Sequence, residues 1–205
     1  PPMKLPDVRE TILEIVLQQL SDHGVEDIEM VIALAYHRRM KPNEIQRMVG
    51  KRIFDEYHPD RLRNFDAEDA DDLVNIGNTT TGVPVDLCKS AAEADLVIYV
   101  NINLSPLNGG FKSAGVGLCG GRTLNSHHDV RTMQKTECFM NPKHSAMHDG
   151  IEAIGRKINE HVNIFHIETT FNNAMFDKSM AFLGKNPDDY SSLEKVGLRS
   201  LLFAL

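Results

Sequence analysis

The 205 residues are 41% hydrophobic and 25% charged, with 14 glycines and 9 prolines, a globular composition that excludes disordered and collagen-like chains. Acidic residues outnumber basic ones by 29 to 22, and the net charge of −7 argues against non-specific nucleic-acid binding. No stretch approaches the ~20 apolar residues of a membrane helix, and three cysteines without a CxxC spacing (Cys88, Cys119, Cys138) give neither a disulfide framework nor a zinc ribbon.

The first predicted element is an amphipathic helix over residues 6–24. Asp7 can cap its start, Val8, Ile12, Ile15, Val16 and Leu20 recur at helical spacing, and Gly24 suits a left-handed stop. Residues 28–36 form a nearly unbroken apolar run, the signature of a strand covered on both faces, and His37 follows at its carboxyl end. Pro42-Asn43 opens a short helix with Ile45, Met48 and Val49 on its core face. Residues 51–74 are charged and weakly periodic, and Asp66 to Asp72 reads as a solvated acidic face. Residues 75–84 read as a loop, 86–94 as a short helix and 95–102 as a second buried strand. A long glycine-rich loop is expected from Asn103 to about Gly121. A helix over 144–161 and a third apolar strand over 162–167 follow, then a helical tail after Phe171.

Strands alternating with helices predict an α/β fold, a mainly parallel sheet with helices on both faces. Ligands of such sheets sit beyond the carboxyl ends of the strands, where His37 and the 103–128 segment fall. Within that segment, Gly109-Gly110-Phe111-Lys112-Ser113 offers close backbone approach and a cation, but it has neither the GxxxxGK[ST] nor the GxGxxG spacing. Its plain reading is a flexible loop with a solvated lysine. His127-His128 is a candidate metal-ligand pair, of which one ring is expected to point inward, and a surface pair is the alternative. His37 is equally readable as a structural imidazole at a strand end. His144 and His148 lack the Glu of an HExxH pattern and read as a solvated pair, His23 as a helix-end charge and His58 as a turn residue.

Five segments in order resemble the nickel-pincer-nucleotide-dependent lactate racemase family. They are Ala33 to Met40 with Glu44 and Gly50, Asn75 to Val85, Glu93 to Ile98, Gly109 to Ser113, and Thr123 to His128. The first looks like that family's Gly-x-His-Arg-Pro segment. The resemblance implies that Lys112, approached through Gly109 and Gly110, holds the pincer nucleotide covalently. It implies that His128 completes the nickel coordination and that His37 is one of two catalytic histidines. The implied reaction is racemisation or epimerisation of a 2-hydroxy acid, with a hydride passing from C2 to the cofactor and back.

The sequence departs from that pattern in several places. No histidine occupies the stretch nine or ten residues before Lys112, which reads Ile102-Asn103-Leu104-Ser105, and Arg39 replaces the family's proline. With His37 as the one proton acceptor, efficient lactate racemisation is not expected, and another 2-hydroxy acid is the expected substrate. The alternative is a non-catalytic nucleotide- or metal-binding α/β module. A start at Pro1-Pro2 and an apolar end at Leu201 to Leu205 are read as a fragment of a larger two-domain protein. Residues 1–170 would be its N-terminal domain, and 171–205 a helical segment leading toward a further domain. The expected setting is the cytoplasm, with a small-molecule substrate, neither nucleic acid nor membrane as partner, and the oligomeric state open.

Overall fold

The computed structural model describes residues 8–103, 109–138 and 141–170. The chain divides into two compact units, Pro1–Thr169 and Thr170–Leu205. The expected helical tail after Phe171 lies outside the described residues.

The elements run α1 (Val8–Asp22), β1 (Met30–Ile32), α2 (Pro42–Val49), α3 (Lys51–Tyr57), β2 (Leu62–Asn64), a 3₁₀ turn (Ala70–Asp72), β3 (Leu73–Asn78) and β4 (Pro84–Cys88). Then come α4 (Lys89–Glu93), β5 (Val97–Asn103), α5 (Phe111–Gly117), α6 (Gly121–Asn125), α7 (Val130–Gln134), a second 3₁₀ turn (Pro142–His144), α8 (Ala146–His161) and β6 (Ile164–Thr170). The fold is α/β, with helices and parallel strands. Among the described residues the strands pair two by two: β1 with β2 in parallel, β3 with β4 as an antiparallel hairpin, and β5 with β6.

The segment from Met30 to Ala35 explains why its sequence is apolar at every position. Successive side chains of an extended chain point to opposite faces. Met30, Ile32 and Leu34 face a core built with Leu17, Ile45, Val49, Ile53 and Leu62. Val31, Ala33 and Ala35 face a second core built with Phe65, Val85, Leu87, Leu118, Ile154 and Ile158. The segment is thus a wall between two cores, covered on both sides. It ends where Ala35 takes a φ of 50°, a left-handed conformation in which a side chain is strained. That residue stands where the family resemblance has glycine.

Two expected loops contain regular structure. Residues 75–84 belong mostly to the β3–β4 hairpin, and the chain reverses at residues 79–83, where Thr79 N–H and Val83 C=O pair at 2.8 Å. The glycine-rich stretch after Asn103 contains helices α5 and α6. Glycine lowers helix propensity by about 1 kcal/mol per residue, so this sequence does not announce a helix. Tertiary packing supplies what propensity lacks. Gly115 receives Ile154 of α8, and Gly155 of α8 receives Phe111 of α5, leaving no room for a Cβ at Gly155.

A side chain at Gly155 would collide with Phe111 Cβ, an atom that cannot swing away. Gly155→Val is therefore expected to destabilise by about 1–3 kcal/mol, read as a lowered urea midpoint at unchanged m-value. A wild-type midpoint would show that α5 and α8 do not pack this closely.

Candidate functional site

Helix α5 carries Lys112 as its second residue. It lies along β5 with one contact per two strand residues. Tyr99 meets Gly117, the Asn101 amide donates to Ser113 Oγ at 2.9 Å, and Asn103 abuts Gly109. Two strand residues advance about 6.6 Å and four helix residues about 6 Å, so the two repeats nearly match. Small residues at 109, 113 and 117 allow the approach. Gly109 and Gly110 both have positive φ, 97° and 53°, and open the turn that leads into the helix. Lys112 itself is half-buried, and burial pulls its ammonium below the ordinary lysine range.

Helix α6 leads to the histidine pair and is fixed to β4 by several bonds. The Arg122 guanidinium donates twice to the Asp86 carboxylate, at 2.7 and 2.6 Å. Thr123 Oγ1 accepts from Asp86 N–H at 2.8 Å and donates to Pro84 C=O at 3.1 Å. Asn75 Nδ2 adds a 2.8 Å bond to Asp86 Oδ1. The Arg122 bonds hold the Asp86 carboxyl below its usual range against the opposing effect of burial.

The two histidines divide between interior and surface. His127 is 1% exposed, packs against Gly150 of α8, and among the described residues neither of its ring nitrogens has a hydrogen-bond partner. A buried imidazole left this way costs about 1–3 kcal/mol, so the group calls for an explanation beyond packing. Burial first, then the charges of His128 and Lys112, pull its pKa down to about 4. His128 is exposed, with its ring centroid 4.5 Å from that of His127. One ring of the pair is inward, as expected, but it is His127, while His128 remains open to solvent.

His37 is exposed on the turn that follows Ala35, with its N–H bonded to Leu34 C=O at 2.8 Å. Its neighbour Tyr36 reaches α6, where the hydroxyl lies 2.9 Å from Gly121 C=O and 2.9 Å from Asn125 Oδ1. The His37 turn and the helix leading to His127-His128 are thereby tied together. Arg38 is committed to Glu44 by two bonds of 2.7 Å, and Arg39 to Asp66 at 2.7 Å. The acidic face at Asp66 to Asp72 is thus partly paired, since Asp72 also holds Arg63.

Other histidines serve packing or element ends. His23 Nδ1 pairs with Gln19 C=O at 2.8 Å at the end of α1, and His58 stacks on Phe54 with centroids 4.5 Å apart. His144 and His148 do not form a solvated pair. His144 is exposed beside Glu137, whereas His148 buries Nδ1 without a partner. The tethering roles of Tyr36, Asn101, Asn103 and Glu168 carry no motif signal in the sequence. The one sequence signal for the asparagines is their alternation, polar at 101 and 103 on one face of an otherwise apolar strand. Among the described residues no group of three or more His, Cys, Asp or Glu is arranged to hold a metal ion, and no helix is long and apolar enough to cross a membrane.

A family model for the lactate racemase N-terminal domain matches residues 3–141. The fold is similar to the lactate racemase apoprotein of Thermoanaerobacterium thermosaccharolyticum, at a TM-score of 0.68 and 17% identity, over 83% of this chain and 41% of that one. It is also similar to a Thermotoga maritima protein, at a TM-score of 0.67 and 16% identity, over 81% of this chain and 44% of that one. The chain therefore spans less than half the length of either structure. No curated protein matches the sequence.

The Asp86–Arg122 pair makes a prediction about acid. A carboxyl whose folded pKa is depressed adds stability above its unfolded pKa of about 3.9, and that stability is lost as pH falls through the lower folded value. Arg122→Ala removes the cause of the depression. Its acid-unfolding midpoint, followed by circular dichroism, is expected at a higher pH than wild type. Coincident midpoints would show that the pair does not hold α6.

Proposed function

The chain belongs to the lactate racemase N-terminal domain family, and from that premise we propose that it is the N-terminal part of a racemase- or epimerase-like enzyme. The proposed reaction acts on a 2-hydroxy acid by hydride transfer to a nickel pincer nucleotide, in the cytoplasm. The observation that carries this reading is the grouping of Lys112, His127 and His128. A half-buried lysine with a depressed pKa acts electrostatically on a buried imidazole that has no hydrogen-bond partner, and an exposed imidazole adjoins it.

The residues fit such a cofactor. Among the described residues no three His, Cys, Asp or Glu side chains converge, so a metal here would have to bring further ligands of its own, as a pincer nucleotide would. Lys112 would hold the nucleotide, since burial favours the neutral amine, which is the nucleophilic form of lysine. Gly109 and Gly110 would leave backbone room beside it. His128 would give the metal an imidazole nitrogen, its ring being open to solvent. When bound, the cofactor supplies the hydride chemistry at C2.

His37 would take the proton of the substrate hydroxyl and return it, as a neutral imidazole does near pH 7. Among the described residues no hydrogen bond engages its ring. At the end of β5, in the stretch where the resemblance places a second histidine, stands Asn103, and an amide cannot accept that proton. The loss of one general base is worth ~10²–10⁴-fold in one direction. This supports a substrate other than lactate.

The test is the intact denatured mass of the full-length protein produced together with the enzymes that make the cofactor. The expected result is a mass increase in wild type that is absent in Lys112→Ala. His128→Ala should keep the added mass while nickel per chain falls about tenfold. An unmodified wild-type mass would overturn the covalent reading in favour of a non-catalytic nucleotide- or metal-binding module.

A further inference from the structure

We propose that Glu168 is a positioning residue for Lys112, closing a polar latch that grips the first turn of α5 at both of its ends. The latch starts on β6. Glu168 Oε1 accepts from Gly110 N–H at 2.5 Å, and Glu168 Oε2 accepts from Asn103 Nδ2 at 2.9 Å. Asn103 Oδ1 then accepts from Asn101 Nδ2 at 2.8 Å, and the same Asn101 amide donates to Ser113 Oγ at 2.9 Å. One unbroken chain of four bonds therefore runs from Gly110 to Ser113, the two residues that bracket Phe111 and Lys112.

Two further features belong to the latch. Gly109 has the space it needs only as glycine, because a Cβ there would lie 2.6 Å from Asn103 Nδ2 and 2.8 Å from Glu168 Oε2. The polarity of the chain is set at one end. A carboxylate only accepts, so it obliges Asn103 to present its amide nitrogen and its oxygen to face Asn101. Glu168 also lies 58 residues from Gly110 in sequence, so the contact fixes a loop by tertiary structure.

The latch fixes the backbone on which the Lys112 side chain is mounted. Its bearing on catalysis rests on the proposed reading of Lys112 as the attachment point, but the latch itself is testable without cofactor. A glutamine at position 168 can still accept from Gly110 N–H through its one oxygen. Asn103 and Asn101 can then flip, reversing the donors along the chain while Ser113 donates from its hydroxyl. Alanine offers no such route.

The experiment is limiting acetylation of the cofactor-free full chain with acetic anhydride. The extent at Lys112 is measured against the exposed Lys89 by peptide mass spectrometry. Wild type and Glu168→Gln are expected to give the same Lys112-to-Lys89 ratio, and Glu168→Ala a ratio changed threefold or more toward that of a solvated lysine. Asn103→Ala, which cuts the middle of the chain, should change the ratio in the same direction, and it decides the matter if circular dichroism shows Glu168→Ala unfolded. A wild-type ratio in folded Glu168→Ala overturns the proposal. So does Glu168→Gln behaving like Glu168→Ala, or a wild-type ratio in Asn103→Ala. A wild-type chain that carries no cofactor mass would instead overturn the reading of Lys112 and leave the latch result standing.

Discussion

The close seating of α5 between β5 and α8 is the constraint on which the candidate site depends. On one side the helix presents Gly117 and Ser113, with Gly109 just before it, to Tyr99, Asn101 and Asn103. On the other, Gly115 and Phe111 interlock with Ile154 and Gly155. A helix with small residues on two faces has little apolar surface of its own to bury, so its stability comes from the fit to its neighbours. That fit fixes the residues on either side of Lys112. Phe111 is wedged into α8, with Arg156 5.5 Å from the centre of its ring, and Ser113 is bonded to β5. A lysine at this position has its backbone defined by two partners it does not touch through the chain.

The second structural condition is that the histidines share one support. The wall from Met30 to Ala35 separates two cores and delivers His37 at its end, and Tyr36 fastens that end to α6. Helix α6 is fastened in turn to β4 through Asp86, Arg122 and Thr123. The His37 turn and the His127-His128 segment are therefore held by the same short helix, although 90 residues separate them in sequence. The strain at Ala35, φ 50°, sits where the chain must turn sharply to leave the wall.

What could be read from the sequence follows from which interactions are local. The apolar run at 28–36 announces burial on both faces because each residue reports its own side. The helix at 146–161 shows its core face as Met147, Ile151, Ile154 and Ile158. The hairpin at 73–88 and helices α5 and α6 were hidden for the opposite reason. Their glycines and polar residues signal turns locally, and only contacts with distant elements make them regular. The same holds at the site. Gly109, Gly110 and Lys112 were visible as a motif, and the histidine pair as a pair. Which ring is buried depends on α8 passing over His127 at Gly150. Glu168 lies just past the apolar run that marked the last strand, and nothing in its neighbours relates it to residue 110.

The polar groups around the site divide by chemistry. Five carboxylates on the segments around the site are engaged: Glu44 by Arg38, Asp66 by Arg39, Asp86 by Arg122, Asp129 by Thr132 N–H, and Glu168 by Gly110 and Asn103. A carboxylate that already accepts charged or backbone donors is a poorer base, because those donors stabilise its ionised form. Among the described residues no hydrogen bond engages the His37 and His128 rings, and both are exposed. Proton transfer and metal ligation both need an accessible lone pair, which an exposed imidazole offers when neutral. These acids hold the scaffold in place, and in the proposed reading the exposed rings of His37 and His128 are the groups left for chemistry.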